Sequence, residues 1–338
     1  DVYRLTVYVN RYTSGSGWGT AIRIESNSAI AATGTQIAVD ATGDMVAVWS
    51  DTADGATYNI HSNTYNDVSG WGSPQSLRIG AVGDALTPKV TARLAMNSNG
   101  NAVIAWAEAS SPTSIWAQQY TSGIGWGSAV TLESGVEAAY QPDVAIDQDD
   151  NIVAVFAQHD GTRYSVRSTR YESATGWGAP QLIGTADTGA INGDSSGPVV
   201  KLDGSGNANV AWQQNDGYQN NIWINSYSVS DAAWTTAQII ENNNTGDAAS
   251  PSLAVAGDGE ALVIWSQTAG TGTGISSNTY LASNTGLPNI DPVIVTSNTL
   301  VSDEQASVIL DASGTFDQDG TIATYSWMQT SGSVVTLA

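Results

Sequence analysis

Apolar residues run through the first 280 positions in bursts rich in Val, Ile, Ala and Trp, each closed off by Gly, Asn, Asp or Ser. Short bursts bounded by turn residues predict strands, and no stretch carries the periodic apolar stripe of a useful helix. One representative stretch predicts strands over residues 143–147, 152–158, 164–171 and 179–183.

Three aromatic series recur in one register. Trp18, Trp71, Trp126, Trp177 and Trp234 each follow a turn and a Gly or Ala. Trp49, Trp106, Phe156, Trp212 and Trp265 close the second apolar run of each period, and Tyr12, Tyr65, Tyr120, Tyr171, Tyr227 and Tyr280 end the third. Four antiparallel strands in a repeat of about 50 residues make a propeller blade. The fold expected for residues 1–283 is therefore an all-β propeller of four-stranded blades, with four full blades between partial ones at the two ends. If residues 17–25 pair with strands from residues 251–267, the two ends share a blade and the ring closes with five. Six blades is the alternative if the natural chain extends upstream.

The Gly-Trp turns resemble those of sialidase-like and tectonin-like propellers, in which a Trp after a Ser/Gly turn lies between the third and fourth strands. That resemblance implies architecture rather than activity. The Ser-x-Asp-x-Gly-x-Thr-Trp box of sialidases is not kept: residues 171–177 read Tyr-Glu-Ser-Ala-Thr-Gly-Trp and preserve only the final Gly and Trp.

The repeat stops at a Pro- and Asn-containing linker, residues 284–292. Beyond it, Val308-Ile-Leu-Asp-Ala-Ser-Gly-Thr-Phe-Asp-Gln-Asp-Gly-Thr-Ile-Ala-Thr-Tyr-Ser-Trp327 resembles the signature of PKD/REJ-like immunoglobulin domains. The resemblance implies a secreted or cell-surface multidomain protein. An immunoglobulin sandwich takes ~100 residues, so residues 293–338 correspond to part of one. Its inner apolar positions, among them Val308, Leu310, Tyr325 and Trp327, then need cover from the propeller, a second copy or a donated strand, which makes self-assembly through this module an expectation.

Composition narrows the partners. Ten Lys and Arg against 32 Asp and Glu give a formal charge of −22, which opposes binding to nucleic acid or to anionic membranes. No apolar run approaches the ~20 residues of a membrane span. There is no Cys, which removes disulfides, thiolate metal sites and Cys nucleophiles. The start at Asp1, without Met or a signal segment, reads as a processed or excised piece.

Two sets of positions could carry binding. Two residues after each second-run aromatic stand Asp51, Glu108, Gln158, Gln214 and Gln267, a ring of polar groups expected on one propeller face; the bland alternative is that they satisfy neighbouring loop amides. On the third strands, four and two residues before each Tyr, stand Tyr8, His61, Trp116 with Gln118, and Trp223 with Asn225. Period-2 geometry puts each pair on one strand face, and an aromatic beside an amide suits a sugar; the bland alternative is packing between blades.

The turns at Asp40–Asp44, Asn97–Asn101, Asp147–Asn151, Asp203–Asn207 and Ala256–Glu260 look like abbreviated calcium loops but lack EF-hand spacing and its distal Glu. Asx hairpins explain them without metal, so no cofactor is expected, and calcium is the alternative there and at Asp317 and Asp319. Catalysis has little support, because a Ser-His-Asp triad would have to recruit His61 or His159, neither in a recognisable nucleophile context. Glycosidase chemistry needs two carboxylates, with Asp51 and Glu108 the nearest candidates. The leading expectation is a non-enzymatic, glycan-binding or adhesive segment of a larger extracellular surface protein; the alternatives are a polysaccharide-degrading enzyme and a structural spacer or assembly subunit.

Overall fold

The computed structural model describes residues 5–25, 31–52, 54, 57–82, 92–108, 112–133, 135, 137–161, 163–184, 197–215, 219–241, 246–269 and 272–281. The chain divides into two compact units, Asp1–Tyr280 and Leu281–Ala338. The linker, the PKD/REJ-like stretch and the assembly expected of it lie outside the described residues.

Every described element is a strand, and every pairing is antiparallel. Blade 1 consists of Ala31–Val39, Met45–Thr52, Thr57–Asn66, Gly70–Trp71 and Gln75–Val82. Blade 2 consists of Arg93–Met96, Ala102–Glu108, Ser114–Thr121, Gly125–Trp126 and Val130–Thr131. Blade 3 holds Ala139–Ile146, Ile152–His159, Tyr164–Glu172, Gly176–Trp177 and Gln181–Leu182, and blade 4 Val199–Leu202, Ala208–Asn215, Asn220–Ser228, Ala233–Trp234 and Gln238–Ile239. Blade 5 is described for Ala248–Val255, Glu260–Ala269 and Gly272–Leu281. The four strands expected over residues 143–183 are present. A fifth, the two-residue Gly-Trp strand, folds back onto the end of the third so that Tyr171 faces Trp177.

The aromatic series now have distinct jobs. Tyr12–Trp18, Tyr65–Trp71, Tyr120–Trp126, Tyr171–Trp177 and Tyr227–Trp234 form edge-on or tilted ring pairs with centroids 5.4 to 5.6 Å apart, a geometry aromatic quadrupoles favour. The second-strand aromatics fill cores between neighbouring blades. Trp106 lies among residues of blades 1 and 2, Phe156 among those of blades 2 and 3, Trp212 among those of blades 3 and 4, and Trp265 among those of blades 4 and 5. The second strands of blades 1 to 4 lie between two neighbouring layers and are buried on both faces.

Tyr8–Val9 pairs with Ile22–Arg23, and Tyr12–Thr13 with Gly17–Trp18. The pattern repeats the outer half of a blade. Val7 and Ile24 pack on Ala32, Ala47 and Trp49 of blade 1, so this hairpin stands where a preceding blade would. The pairing expected between residues 17–25 and 251–267 is not formed: Ala248–Val255 pairs with Glu260–Ala269, and Leu262 and Ile264 keep an exposed face. The hairpin's strands pair with each other and its buried side chains, Val7 and Ile24, are committed to blade 1.

The first-to-second-strand turns of blades 1 to 4 are Asx hairpins. Asp40, Asn97, Asp147 and Asp203 each accept, through Oδ1, the backbone N–H groups two and four residues ahead. The fourth residue adopts positive φ, as Gly43, Gly100, Gly206 and Gly259 do at 78 to 96°. Blade 3 places Asp150 there instead, at φ 65°, and its Oδ1 receives Asn97 Nδ2 at 2.7 Å and Asn101 Nδ2 at 2.8 Å from blade 2. Among the described residues no cluster of three or more metal-ligating side chains forms.

Innermost strands are linked by side chains as well. Gln36 Oε1 accepts Leu94 N at 2.7 Å, and the equivalent Asp143 Oδ2 accepts Val200 N at 3.0 Å. Burial pushes the Asp143 carboxyl above the ordinary carboxylate range, against the pull of the Val200 N–H, Lys201 and Arg93. A carboxyl raised in the folded state binds more protons folded than unfolded, so its contribution to stability is full below the ordinary value and is lost as pH rises through the folded one. Asp143→Asn keeps an oxygen for Val200 N and never ionises. The expected outcome is a variant whose stability advantage over the parent grows as pH is raised from about 4 into the neutral range, measured by denaturant midpoints at several pH values. An advantage that is flat or shrinks with pH overturns this assignment.

Candidate functional site

The polar ring is built into the blades. Asp51, Glu108, Gln158, Gln214 and Gln267 are all buried. They follow the second-strand aromatic by two residues, so they share its face. Trp212 Nε1 donates to Gln214 Oε1 at 2.9 Å, Trp265 Nε1 to Gln267 Oε1 at 2.8 Å, and Trp106 Nε1 to Glu108 Oε2 at 3.3 Å. A buried indole N–H needs an acceptor, and these side chains supply it. Glu108 is also clasped by Arg78, through Nε at 2.8 Å and through Nη2, and its partner draws the Arg78 guanidinium pKa up. Blade 1 differs: Asp51 accepts Asn59 Nδ2 at 2.9 Å and lies 2.9 Å from His61 Nε2. The two carboxylates considered for glycosidase chemistry are therefore each engaged by scaffold groups, Asp51 within blade 1 and Glu108 across to Arg78 of blade 1.

The third-strand amides act as staples. Asn225 Nδ2 donates to Ile183 O of blade 3 at 2.8 Å, and Asn63 Nδ2 donates to Ile24 O of the N-terminal hairpin at 2.9 Å. Gln118 Nε2 donates to Gly127 O at 2.7 Å. Asn63, Gln118 and Asn225 are buried, as are His61 and Trp223. His61 stacks on Trp49 and Trp116 on Trp106. Trp116 is half-buried beneath the Arg78 guanidinium, and Tyr8, on the terminal hairpin, is 62% exposed. The structure does not bring these residues into one pocket; it distributes one set to each blade.

A cleft of about 140 Å³ opens instead between blades 2 and 3, lined by Asn101, Gln119, Tyr120, Asp150, Tyr171 and Ser173 among others. It sits where the Tyr at the end of each third strand meets the Asx turn of the next blade. Gln119 and Ser173 are accessible, and Asn101 is fixed by donating to Asp150 while its Oδ1 accepts Ser122 N at 2.9 Å. The Tyr120 phenol is pushed above its ordinary range, chiefly by burial and also by the Asp44 charge. The Tyr171 ring packs on the blade 2 and 3 side and the Tyr120 ring on the blade 1 and 2 side, so the cleft combines one Tyr ring with amide, hydroxyl and carboxylate groups.

No family model matches the chain, and no curated protein matches it. Solved structures with similar folds include a polysaccharide lyase of a new family, an ulvan lyase, at 13% identity and TM-score 0.47, over 72% of this chain and 66% of the lyase. A protein of unknown function from Dyadobacter fermentans DSM 18053 aligns at 12% identity and TM-score 0.49, over 81% of this chain and 83% of its own. A Hadza microbial sialidase aligns at 11% identity and TM-score 0.44, over 77% of this chain and 58% of the sialidase. The chain spans less than two thirds of the lyase and of the sialidase. The likeness is one of fold, and no residue's role is carried across.

Proposed function

We propose that this chain is a glycan-binding, non-glycosidic segment of an extracellular or cell-surface protein, and that a neutral saccharide occupies the cleft between blades 2 and 3. The observation that supports this reading is the Tyr171 ring beside Asn101, Gln119, Asp150 and Ser173 in one cleft. Sugar C–H faces pack on aromatic rings while hydroxyls bond to amides and carboxylates. A net charge of −22 disfavours sulfated or uronic chains. The PKD/REJ-like sequence beyond residue 292 supports the extracellular placement. We read the scaffold as five blades with the N-terminal hairpin in a sixth blade position.

A glycan array of neutral oligosaccharides tests this. Binding is expected, with Tyr171→Ala and Gln119→Ala each weakening it about 10-fold or more, equivalent to losing an aromatic contact or a polar one of about 1.4 kcal/mol. An array with no binder, or binding unaffected by either change in a folded variant, defeats the proposal.

A further inference from the structure

Blade 1 departs from its siblings at three equivalent positions together. The fourth strand pairs with the third so that His61 faces Ser76, Trp116 faces Thr131, Arg167 faces Leu182 and Trp223 faces Ile239. On the second strand these residues face Trp49, Trp106, Phe156 and Trp212, and two positions further along the same strand face stand Asp51, Glu108, Gln158 and Gln214. Among the four blades whose fourth strand is described, only blade 1 lines up a carboxylate, an imidazole and a hydroxyl. The departure leaves the scaffold short of a bond: in blades 2, 4 and 5 the second-strand indole N–H has its acceptor two residues on, whereas the buried Trp49 Nε1 has no partner. Asp51 is turned toward His61 instead.

The geometry is that of a relay. His61 Nδ1 is 3.2 Å from Ser76 Oγ, and His61 Nε2 is 2.9 Å from Asp51 Oδ2. Asp51 and His61 are buried at 1% and 8% exposure, whereas Ser76 is exposed. The ring is held by stacking on Trp49, with centroids 5.8 Å apart. Nε2 makes no aligned hydrogen bond, and loose alignment of this kind is common in catalytic sites without substrate. A bulge in the pairing between Ile60 and His61 offsets Ser76 from Arg78, the type of irregularity that re-aims a side chain beside an active site.

We propose that Ser76 is an activated nucleophile toward carboxylic esters, with His61 as general base and Asp51 positioning the imidazole. Ser76 Oγ bonds to the ester carbonyl carbon as its proton passes to His61 Nδ1. Collapse breaks the bond to the alkoxide, which leaves as an alcohol carrying that proton. Water then attacks the acyl-serine, giving a proton to Nδ1, and the acid departs as that proton returns to Ser76 Oγ. Asp51 holds the tautomer with its proton on Nε2, so that Nδ1 is free to accept, and stabilises the imidazolium. This chemistry is independent of the saccharide cleft on blades 2 and 3.

The test uses the intact chain with a fluorophosphonate probe and with p-nitrophenyl acetate. Phosphonylation is expected at Ser76, read by peptide mass, and release of p-nitrophenol is expected to fall about 100-fold or more in Ser76→Ala and in His61→Gly. Ser76 is exposed, so its alanine variant should fold normally. Added imidazole should restore part of the His61→Gly rate, which a purely structural role for His61 would not allow. Asp51→Asn should lower kcat with little change in KM, because the imidazolium formed during the step loses its counter-charge. Labelling of Ser76 no faster than that of Ser122 or Ser173, or rates unchanged in Ser76→Ala, overturns the proposal.

Discussion

Truncating Trp212 to alanine is expected to destabilise the chain by about 3 to 5 kcal/mol, a large share of the total for a domain of ordinary stability. The indole is fully buried in the core shared by blades 3 and 4, with Val153, Val155, Val166, Val200 and Val210 around it. Its removal opens a cavity that β-branched neighbours on paired strands are poorly placed to fill, since each is fixed by its own ladder. It also strips Gln214 Oε1 of the indole N–H. Trp212→Phe keeps most of the volume and isolates the lost hydrogen bond, so its cost should be nearer 1 kcal/mol. Urea denaturation of both variants measures the difference. A Trp212→Ala loss under about 1 kcal/mol would show that the interface between blades 3 and 4 is not a packed core.

The period and the strand content follow from residues that repeat, because a repeated packing problem leaves the same residue at the same place, whereas the inter-blade role of the second-strand aromatics emerges only from the packed clusters. The Asx turns were legible for a related reason: Asp or Asn at the first position and Gly at the fourth are demanded locally by hydrogen bonding and φ. Asp150 breaks that rule and was opaque, since the reason for it lies in Asn97 and Asn101 of the preceding blade. The closure of residues 17–25 onto 251–267 failed for a similar reason. Strand type is written locally, but Val7 and Ile24 choose blade 1 through contacts that periodicity does not encode.

Candidate sites were less legible than the scaffold. Polar residues recurring in register looked like a ring of ligand groups, but recurrence is what a scaffold bond produces, as the Trp–Gln pairs of blades 4 and 5 demonstrate. The more informative signal was deviation from the repeat. Asp51 and His61 appeared in two separate series, and Ser76 in neither. Aligning the fourth strands would have found it, since Thr131, Leu182 and Ile239 occupy its place in the other blades. The cleft between blades 2 and 3 draws on Tyr171, which the sequence marked as the end of a third strand, and on Asp150, which it marked as a turn.

The same distinction between staple and ligand makes Asn225 decisive. Asn225→Ala is expected to cost about 2 to 3 kcal/mol of stability and to leave saccharide binding at the cleft unchanged. The side chain is 3% exposed; its Nδ2 donates to Ile183 O in blade 3, while its Oδ1 accepts Ser226 N at 2.8 Å and Thr235 Oγ1 at 2.7 Å. Thr235 Oγ1 is within reach of Ser226 N at 3.3 Å, so part of the network can reclose, but the Ile183 carbonyl has no comparable substitute and is left buried without this donor. Asn225→Asp is the sharper variant. It is nearly isosteric, yet it replaces the donor facing that carbonyl with a carboxylate oxygen, so desolvation and repulsion both oppose folding at neutral pH. It should be less stable than the alanine variant at pH 7 and recover as the carboxyl is protonated in acid. Thermal unfolding at the two pH values reads this directly. An Asn225→Asp protein as stable as the parent, with altered binding, would return Asn225 to the ligand.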